Sequence, residues 1–138
     1  MKDILDKAAR IRLVIFDVDG VLTDGSLFVG DDGQEYKAFN SRDGHGIKML
    51  IKHGVTVAII TGRTSKVVEH RMENLGIEHV YQGKLEKLPA YEELAGELGV
   101  AGGKPCVQLR GSRGASLLDG LTTAIGGDTA NFEVDHRI

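Results

Sequence analysis

The stretch Ile11-Arg12-Leu13-Val14-Ile15-Phe16-Asp17-Val18-Asp19-Gly20 decides the fold of this chain. Residues 11–16 are a near-continuous apolar run rich in β-branched side chains, which is typical of a strand buried on both faces of a parallel sheet. Asp17 and Asp19 follow at once, and ligands of parallel α/β sheets bind at the carboxyl ends of the strands. Asp and Gly are also common in turns. Two acids directly after an apolar strand nevertheless favour a ligand-binding site over a plain turn.

Outward from this stretch, predicted strands and helices alternate, which indicates a three-layer, doubly wound α/β fold with a parallel sheet. A β-hairpin is predicted over residues 27–39, because residues 30–33 read Gly-Asp-Asp-Gly between apolar flanks. Further strands are predicted at residues 55–60 and 79–81. Helices are predicted from an Asp43 cap to about His53 before Gly54, from a Ser65 cap to Leu75-Gly76, and from Glu86 to Leu98 before Gly99. In the last helix, Leu88, Tyr91, Leu94 and Leu98 recur at helical spacing.

The pattern changes after about residue 101, where glycines punctuate the sequence. Only residues 106–109 and 121–125 read as strands there. We predict a single domain over residues 1–138, with residues 101–138 as its atypical part.

The composition is ordinary for a soluble globular protein. The chain has 138 residues, 41% hydrophobic and 27% charged, which is enough for one domain with a buried core. Its formal net charge of −3 gives no reason to expect nucleic-acid or membrane partners. No apolar run approaches a membrane span, and no signal-peptide core is present, so a cytoplasmic location is expected. Cys106 stands alone, which excludes a disulfide within the chain.

The residues after three predicted strands suit phosphate chemistry. Asp17 and Asp19 can flank a hard cation, and one can attack phosphorus while the other handles the leaving group's proton. Thr61 and Arg63 offer donors to phosphate oxygens, although Thr61 or Ser65 can equally cap a helix. A lysine, Lys84 or Lys87, can offset transition-state charge. Lysines at a helix start are also common on solvated faces.

Four motifs carry a resemblance to a known family. They are residues 17–25 (DVDGVLTDG), 37–44 (KAFNSRDG), 59–63 (IITGR) and 81–88 (YQGKLEKL). Together they resemble the 3-deoxy-D-manno-octulosonate 8-phosphate phosphatases, which are small members of the haloacid dehalogenase superfamily without a large cap domain. The resemblance covers about residues 11–100.

The resemblance implies a magnesium-dependent phosphatase of lipopolysaccharide biosynthesis. It implies Asp17 as nucleophile and metal ligand, and Asp19 as acid/base whose backbone helps to hold the metal. Thr61 would bind the phosphoryl group, and Lys87 fits the motif lysine better than Lys84. The positions that face the sugar phosphate are Asp19, Asn40, Ser41, Arg42, Asp43, Gly44, Lys48, Arg63, Arg71 and Lys87. The hairpin would build a homotetramer in which a neighbour finishes each site.

The chain departs from the family at a fourth motif, where a strand should end in Gly-Asp-Asp. Residues 107–113 read Val-Gln-Leu-Arg-Gly-Ser-Arg, so Arg110 stands where a metal-binding aspartate belongs. Asp128, in a later Gly-Gly-Asp segment, is our candidate to replace the missing metal-binding aspartate. A truncated, rearranged or misread C-terminal region would explain the departure.

We therefore predict Mg²⁺-dependent hydrolysis of an acidic sugar phosphate, most simply 3-deoxy-D-manno-octulosonate 8-phosphate, through an aspartyl-phosphate. Two alternatives stay open. One is a phosphatase of another nonulosonate phosphate, such as an acylneuraminate 9-phosphate. The other is a non-catalytic oligomeric relative without a complete metal site.

Overall fold

The computed structural model describes residues 2–99 and 106–109. The helices are α1 (Lys2–Ala8), α2 (Ser41–Lys52), α3 (Lys66–Leu75) and α4 (Lys87–Glu97). The strands are β1 (Leu13–Phe16), β2 (Phe28–Val29), β3 (Glu35–Tyr36), β4 (Thr56–Ile60), β5 (His79–Tyr81) and β6 (Cys106–Leu109). The predicted elements are therefore present within this part of the chain, with bounds shifted by a few residues.

Four strands of the described part form a parallel sheet in the order β5-β4-β1-β6. Phe16, at the end of β1, is in register with Ile59 of β4 and with Leu109 of β6. The carboxyl ends of these strands therefore share one edge, which we call the catalytic edge. The strand predicted at residues 106–109 is confirmed. The structure places it beside β1.

Helices cover both faces of the sheet, which confirms the three-layer α/β fold. All four residues of β1 are buried. Val14 and Phe16 pack in one apolar cluster with Ile47 of α2 and with Val68 and Met72 of α3. The alternate residues of β1, Leu13 and Ile15, pack on the opposite face with Ala90 and Leu94 of α4. A strand covered on both sides has no polar face, which explains its continuous apolar sequence.

The predicted hairpin forms from β2 and β3, which pair antiparallel. Its turn is closed by bonds from Gly30 N–H to the Gln34 carbonyl (2.8 Å) and from Gly33 N–H to the Gly30 carbonyl (2.9 Å). Gly33 has φ +78°, a conformation that favours glycine. The hairpin leaves apolar side chains uncovered: Phe28 and Tyr36, which pair across it, are 55% and 54% exposed, and Val29, which pairs with Glu35, is 64% exposed.

Three predicted helix details differ from the structure. Helix α2 is capped by Asn40, whose side chain accepts from Arg42 N–H at 2.8 Å, whereas Asp43 lies in the first turn. Ser65 holds the N-cap position of α3, but its side chain makes no capping bond; its N–H donates to Gln82 Oε1 at 2.9 Å.

The third detail is the buried face of α4. Leu94 is buried and Tyr91 and Leu98 pack against the same cluster, as the spacing predicts, whereas Leu88 is 40% exposed. Ala90 and Ala95 are also buried on this face, and the leucine spacing did not indicate them.

Several predictions lie outside the described residues. They concern the strand at residues 121–125, Arg110 and Asp128. Within the described residues, no helix has both the length and the apolar character of a membrane span.

Candidate active site

The loop after β1 is organised by one buried threonine. Thr23 Oγ1 accepts hydrogen bonds from the N–H groups of Gly20 (3.2 Å) and Gly25 (3.1 Å). The carbonyl of Val18 accepts from the N–H groups of three following residues, Val21, Leu22 and Thr23. These bonds curl residues 17–25 into a compact turn that holds both aspartates at the catalytic edge.

Asp17 is paired with a lysine that follows β5, the outer strand of the sheet. Lys87, the first residue of α4, places Nζ 2.6 Å from Asp17 Oδ2. The other carboxylate oxygen accepts from the N–H of Val18 at 2.7 Å. Both side chains are largely covered, with 15% of Asp17 and 19% of Lys87 exposed. The structure thus brings together the residues predicted as nucleophile and charge-offsetting lysine.

Asp19 is paired with a lysine that the sequence analysis did not select. Nζ of Lys37 lies 2.5 Å from Asp19 Oδ1, and the Lys37 side chain has no exposed surface. Glu35, two residues earlier on the same face of the hairpin, lies 3.5 Å from the same ammonium. The sequence could have indicated Lys37, because alternation along the hairpin strand places it on the same face as Glu35 and opposite Tyr36.

Arg63 forms an ion pair with Glu35 of the hairpin. This pairing, with Lys37 nearby, lowers the pKa of Glu35, and Glu35 in turn raises the pKa of Arg63. Arg63 is nevertheless 48% exposed at its side chain. The guanidinium predicted to bind phosphate therefore lies in contact with the hairpin and remains accessible to an anion.

Thr61 follows β4 and is 1% exposed. Its N–H donates to the Tyr81 carbonyl and its carbonyl accepts from Lys84 N–H, both at 2.9 Å. Because its N–H already donates to Tyr81, only the Thr61 hydroxyl remains to contact a phosphate. Lys84, whose side chain is exposed, contributes its backbone to this loop, whereas Lys87 reaches Asp17.

The other predicted substrate residues lie on α2, at its N-cap and on α3. Asn40, Ser41 and Arg42 are exposed at the beginning of α2, and Lys48 is exposed further along it. Arg71 of α3 packs against this segment: its guanidinium carbon lies 5.7 Å from the Phe39 ring centre, and Nη2 donates to the Asn40 carbonyl at 3.5 Å. Arg71 Nε is buried without a hydrogen-bond partner among the described residues. This second group, centred on Arg71, is built around a contact between α2 and α3.

Asp43 and Gly44 complete this second group. Burial raises the pKa of Asp43, and the nearby Arg71 charge only partly opposes that rise. Gly44 is buried, and a Cβ there would overlap Nη2 of Arg71. A glycine at this position therefore lets the arginine lie flat against α2.

The donor chemistry at the catalytic edge suits Mg²⁺. This ion prefers oxygen ligands and usually takes one or two carboxylates together with water and phosphate. Asp17 and Asp19 supply two carboxylates within one turn of chain. Among the described residues, no cluster of three or more His, Cys, Asp or Glu is positioned to hold a metal. A magnesium site built from these residues would therefore rest on Asp17 and the Asp19 segment.

No protein-family model matches the chain. It is 54% identical over 96 residues to the 3-deoxy-D-manno-octulosonate 8-phosphate phosphatase of Yersinia pestis, covering 70% of this chain and 51% of that protein. It is 52% identical over 99 residues to the Escherichia coli protein of the same name, covering 72% and 53%. The chain thus spans about half the length of the curated relatives it matches.

Solved structures show the same similarity. A crystal structure of the Yersinia pestis phosphatase matches with a TM-score of 0.74 and 45% identity, covering 90% of this chain and 65% of that one. The Moraxella catarrhalis phosphatase in complex with magnesium, phosphate and KDO matches with a TM-score of 0.74 and 41% identity, covering 80% and 63%. The resemblance read from the four motifs is thereby confirmed, and the chain belongs to the 3-deoxy-D-manno-octulosonate 8-phosphate phosphatase family of the haloacid dehalogenase superfamily.

Proposed function

We propose that this protein hydrolyses the phosphate monoester of an acidic sugar, 3-deoxy-D-manno-octulosonate 8-phosphate, with Mg²⁺ as cofactor. The observation that carries the proposal is the pair Asp17 and Asp19 at the end of a buried strand, each carboxylate in contact with one lysine. The relatives named above support the substrate, and the structure from Moraxella catarrhalis holds magnesium, phosphate and KDO.

The chemistry divides between the two aspartates. Asp17 attacks phosphorus, the bond from phosphorus to the sugar oxygen breaks, and Asp19 donates a proton to the departing oxygen. Asp19, now a carboxylate, takes a proton from water, which attacks the aspartyl-phosphate and releases inorganic phosphate. Lys87 stabilises the negative charge that accumulates beside Asp17. Thr61 and Arg63 bind the phosphoryl oxygens.

Magnesium fits the same two residues. Asp17 and the Asp19 segment would hold it, and when bound the ion offsets the repulsion between the Asp17 carboxylate and the phosphate dianion. Asp128 is proposed as an additional ligand; it lies outside the described residues.

Substrate recognition is assigned to two groups of residues. Arg63, Lys87 and Asp19 lie at the catalytic edge. The remaining substrate residues lie on α2 or at its N-cap, with one on α3, and are Asn40, Ser41, Arg42, Asp43, Gly44, Lys48 and Arg71. A cytoplasmic homotetramer built through the hairpin, acting in lipopolysaccharide biosynthesis, is part of the same proposal.

The test is a phosphate-release assay on the purified chain. The panel contains 3-deoxy-D-manno-octulosonate 8-phosphate, an acylneuraminate 9-phosphate and simple hexose phosphates, each with Mg²⁺ and with a chelator. We expect Mg²⁺-dependent release that is fastest for the first substrate. Faster release from the 9-phosphate would indicate the alternative substrate, and no release from any ester would indicate a non-catalytic relative.

Asp17→Asn serves as the catalytic control, because an amide cannot form the aspartyl-phosphate. We expect it to abolish phosphate release without unfolding the protein. Asp31→Asn removes an exposed carboxylate in the hairpin turn and is expected to leave activity unchanged. Wild-type turnover by Asp17→Asn would contradict the nucleophile assignment.

A further inference from the structure

Lys37 is a buried cation on an otherwise exposed hairpin. Its side chain has no exposed surface, whereas its neighbours Tyr36 and Ala38 are exposed. A buried ammonium is costly unless it is paired, so its partners show what the position requires. Two carboxylates surround it, Asp19 Oδ1 at 2.5 Å and Glu35 Oε2 at 3.5 Å.

The nearer partner belongs to the catalytic edge and not to the hairpin. Glu35 is closer to Lys37 in sequence, yet the ammonium donates its hydrogen bond to Asp19. Glu35 Oε2 remains buried without a hydrogen-bond partner among the described residues. If Lys37 only neutralised its own strand, the shorter contact would be with Glu35. The geometry therefore directs the charge of Lys37 to Asp19.

The contact continues beyond Lys37. Glu35 also pairs with Arg63, which follows β4, so one chain of charges joins Asp19, Lys37, Glu35 and Arg63. It links the loop after β1, the hairpin and the loop after β4. With Asp17 and Lys87 the edge holds three acids and three bases in contact, so their formal charges cancel.

We propose that Lys37 is a positioning residue for Asp19: it orients the carboxyl group that first donates and then accepts the proton, and through the same contact it anchors the hairpin to the catalytic edge. The catalytic half of this inference rests on the proposed function. The anchoring half does not, because it concerns the order of the hairpin alone. The order of the hairpin and the geometry of Asp19 are thus coupled through one ammonium group.

The kinetic test uses Lys37→Met, which keeps the length of the side chain and removes the charge. Lys52→Met, on the exposed end of α2, is the matched control. We expect Lys37→Met to lower kcat on the order of 10- to 100-fold with little change in KM, as misplacement of a catalytic group does. The loss should be greater for a sugar phosphate than for p-nitrophenyl phosphate, because only the poor leaving group needs the Asp19 proton.

A double-mutant cycle separates positioning from a general structural effect. If Lys37 acts through Asp19, Lys37→Met has no further effect on kcat in the Asp19→Asn background. Equal losses in both backgrounds, equal losses for both leaving groups, or a wild-type kcat for Lys37→Met would overturn the catalytic half.

Hydrogen exchange of residues 28–36 tests the anchoring half without any activity. We expect faster exchange in Lys37→Met and in Asp19→Asn, no further increase in the double variant, and no change in Asp17→Asn. Asp19→Asn leaves the buried lysine in place, so this variant still tests the anchoring of the hairpin if Lys37→Met fails to fold. Unchanged exchange in Asp19→Asn would overturn the anchoring. If the wild-type chain releases no phosphate from any ester, the proposed function and the catalytic half fail, and exchange still decides the anchoring.

Discussion

At the scale of single residues, the catalytic edge consists of acids that are each in contact with a base from a distant part of the sequence. Lys87 is seventy residues from Asp17 and Lys37 is eighteen from Asp19. The long lysine side chains reach the two aspartates because the backbones of Lys87 and Lys37 lie close to the catalytic edge. The pairs hold the carboxylates in place before any substrate arrives, which is the preorganisation that electrostatic catalysis needs.

Two other aspartates are expected to respond to pH in opposite directions. Asp24 accepts a hydrogen bond from Ser26 N–H at 2.9 Å, and this bond lowers its pKa. A depressed pKa contributes stability above the unfolded value, and that stability is lost as the pH falls through the folded pKa. Burial raises the pKa of Asp43, so the folded state disfavours its charge, and stability declines as the pH rises from the unfolded value through the folded one.

Urea unfolding of the wild type, Asp24→Asn and Asp43→Asn between about pH 3 and pH 7 measures both effects, since this range spans the ordinary carboxyl pKa. The stability difference between wild type and Asp24→Asn should grow with pH. The difference between wild type and Asp43→Asn should fall with pH. Parallel curves for the two variants would contradict the opposite pKa shifts of Asp24 and Asp43.

At the scale of elements, helix α2 contains two glycines with different surroundings. A Cβ at Gly44 would overlap Arg71 Nη2 and lie 3.2 Å from Leu75 Cδ2, whereas a Cβ at Gly46 would meet nothing within 4 Å. Alanine in a helix is favoured over glycine by about 0.5–1 kcal/mol. Gly46→Ala should therefore raise the free energy of unfolding by about that amount.

Gly44→Ala should be less stable than Gly46→Ala, because Arg71 Nη2 and Leu75 Cδ2 must shift to admit the Cβ, and overpacking costs about 1–3 kcal/mol. Denaturant unfolding compares the two variants in the same helix, where propensity is matched. Equal stability of Gly44→Ala and Gly46→Ala would show that Arg71 moves aside freely.

At the scale of the whole molecule, the hairpin has two unlike faces. Glu35 and Lys37 face the protein's own catalytic edge, while Phe28 and Tyr36 pair with each other on the opposite face and remain exposed. Val29, which pairs with Glu35, is exposed as well. The exposed face predicts self-association, because a hairpin this small cannot bury these side chains alone. Light scattering should show an oligomer for the wild type and a smaller species for Phe28→Ser/Val29→Ser. Leu5→Ser, which changes an exposed leucine of α1, is the control. A wild-type monomer at micromolar concentration would contradict the prediction.

Metal affinity is the second prediction at this scale. We expect Mg²⁺ to bind this chain more weakly than the Yersinia pestis relative, because Arg110 replaces a motif aspartate and outer partners are worth about 10–100-fold in affinity. Calorimetry on Asp128→Ala, with Asp119→Ala as control, tests the substitute ligand. A sharp loss in Asp128→Ala alone would support it. Full affinity in Asp128→Ala, with high activity, would contradict both the substitute ligand and the weakened site.

The sequence by itself determined the local periodicities and the strand ends. The apolar run of β1, the hairpin turn and the α/β alternation depend on short-range patterns, and the structure confirms them. Parallel strands align their carboxyl ends, so Asp17, Thr61 and Lys87 were predictable as neighbours. Only the tertiary structure decided which side chains meet. Lys37 reaches Asp19, and Ala90 and Ala95 join Leu94 on the buried face of α4, because these contacts depend on how closely elements approach in space, which spacing along the chain does not encode.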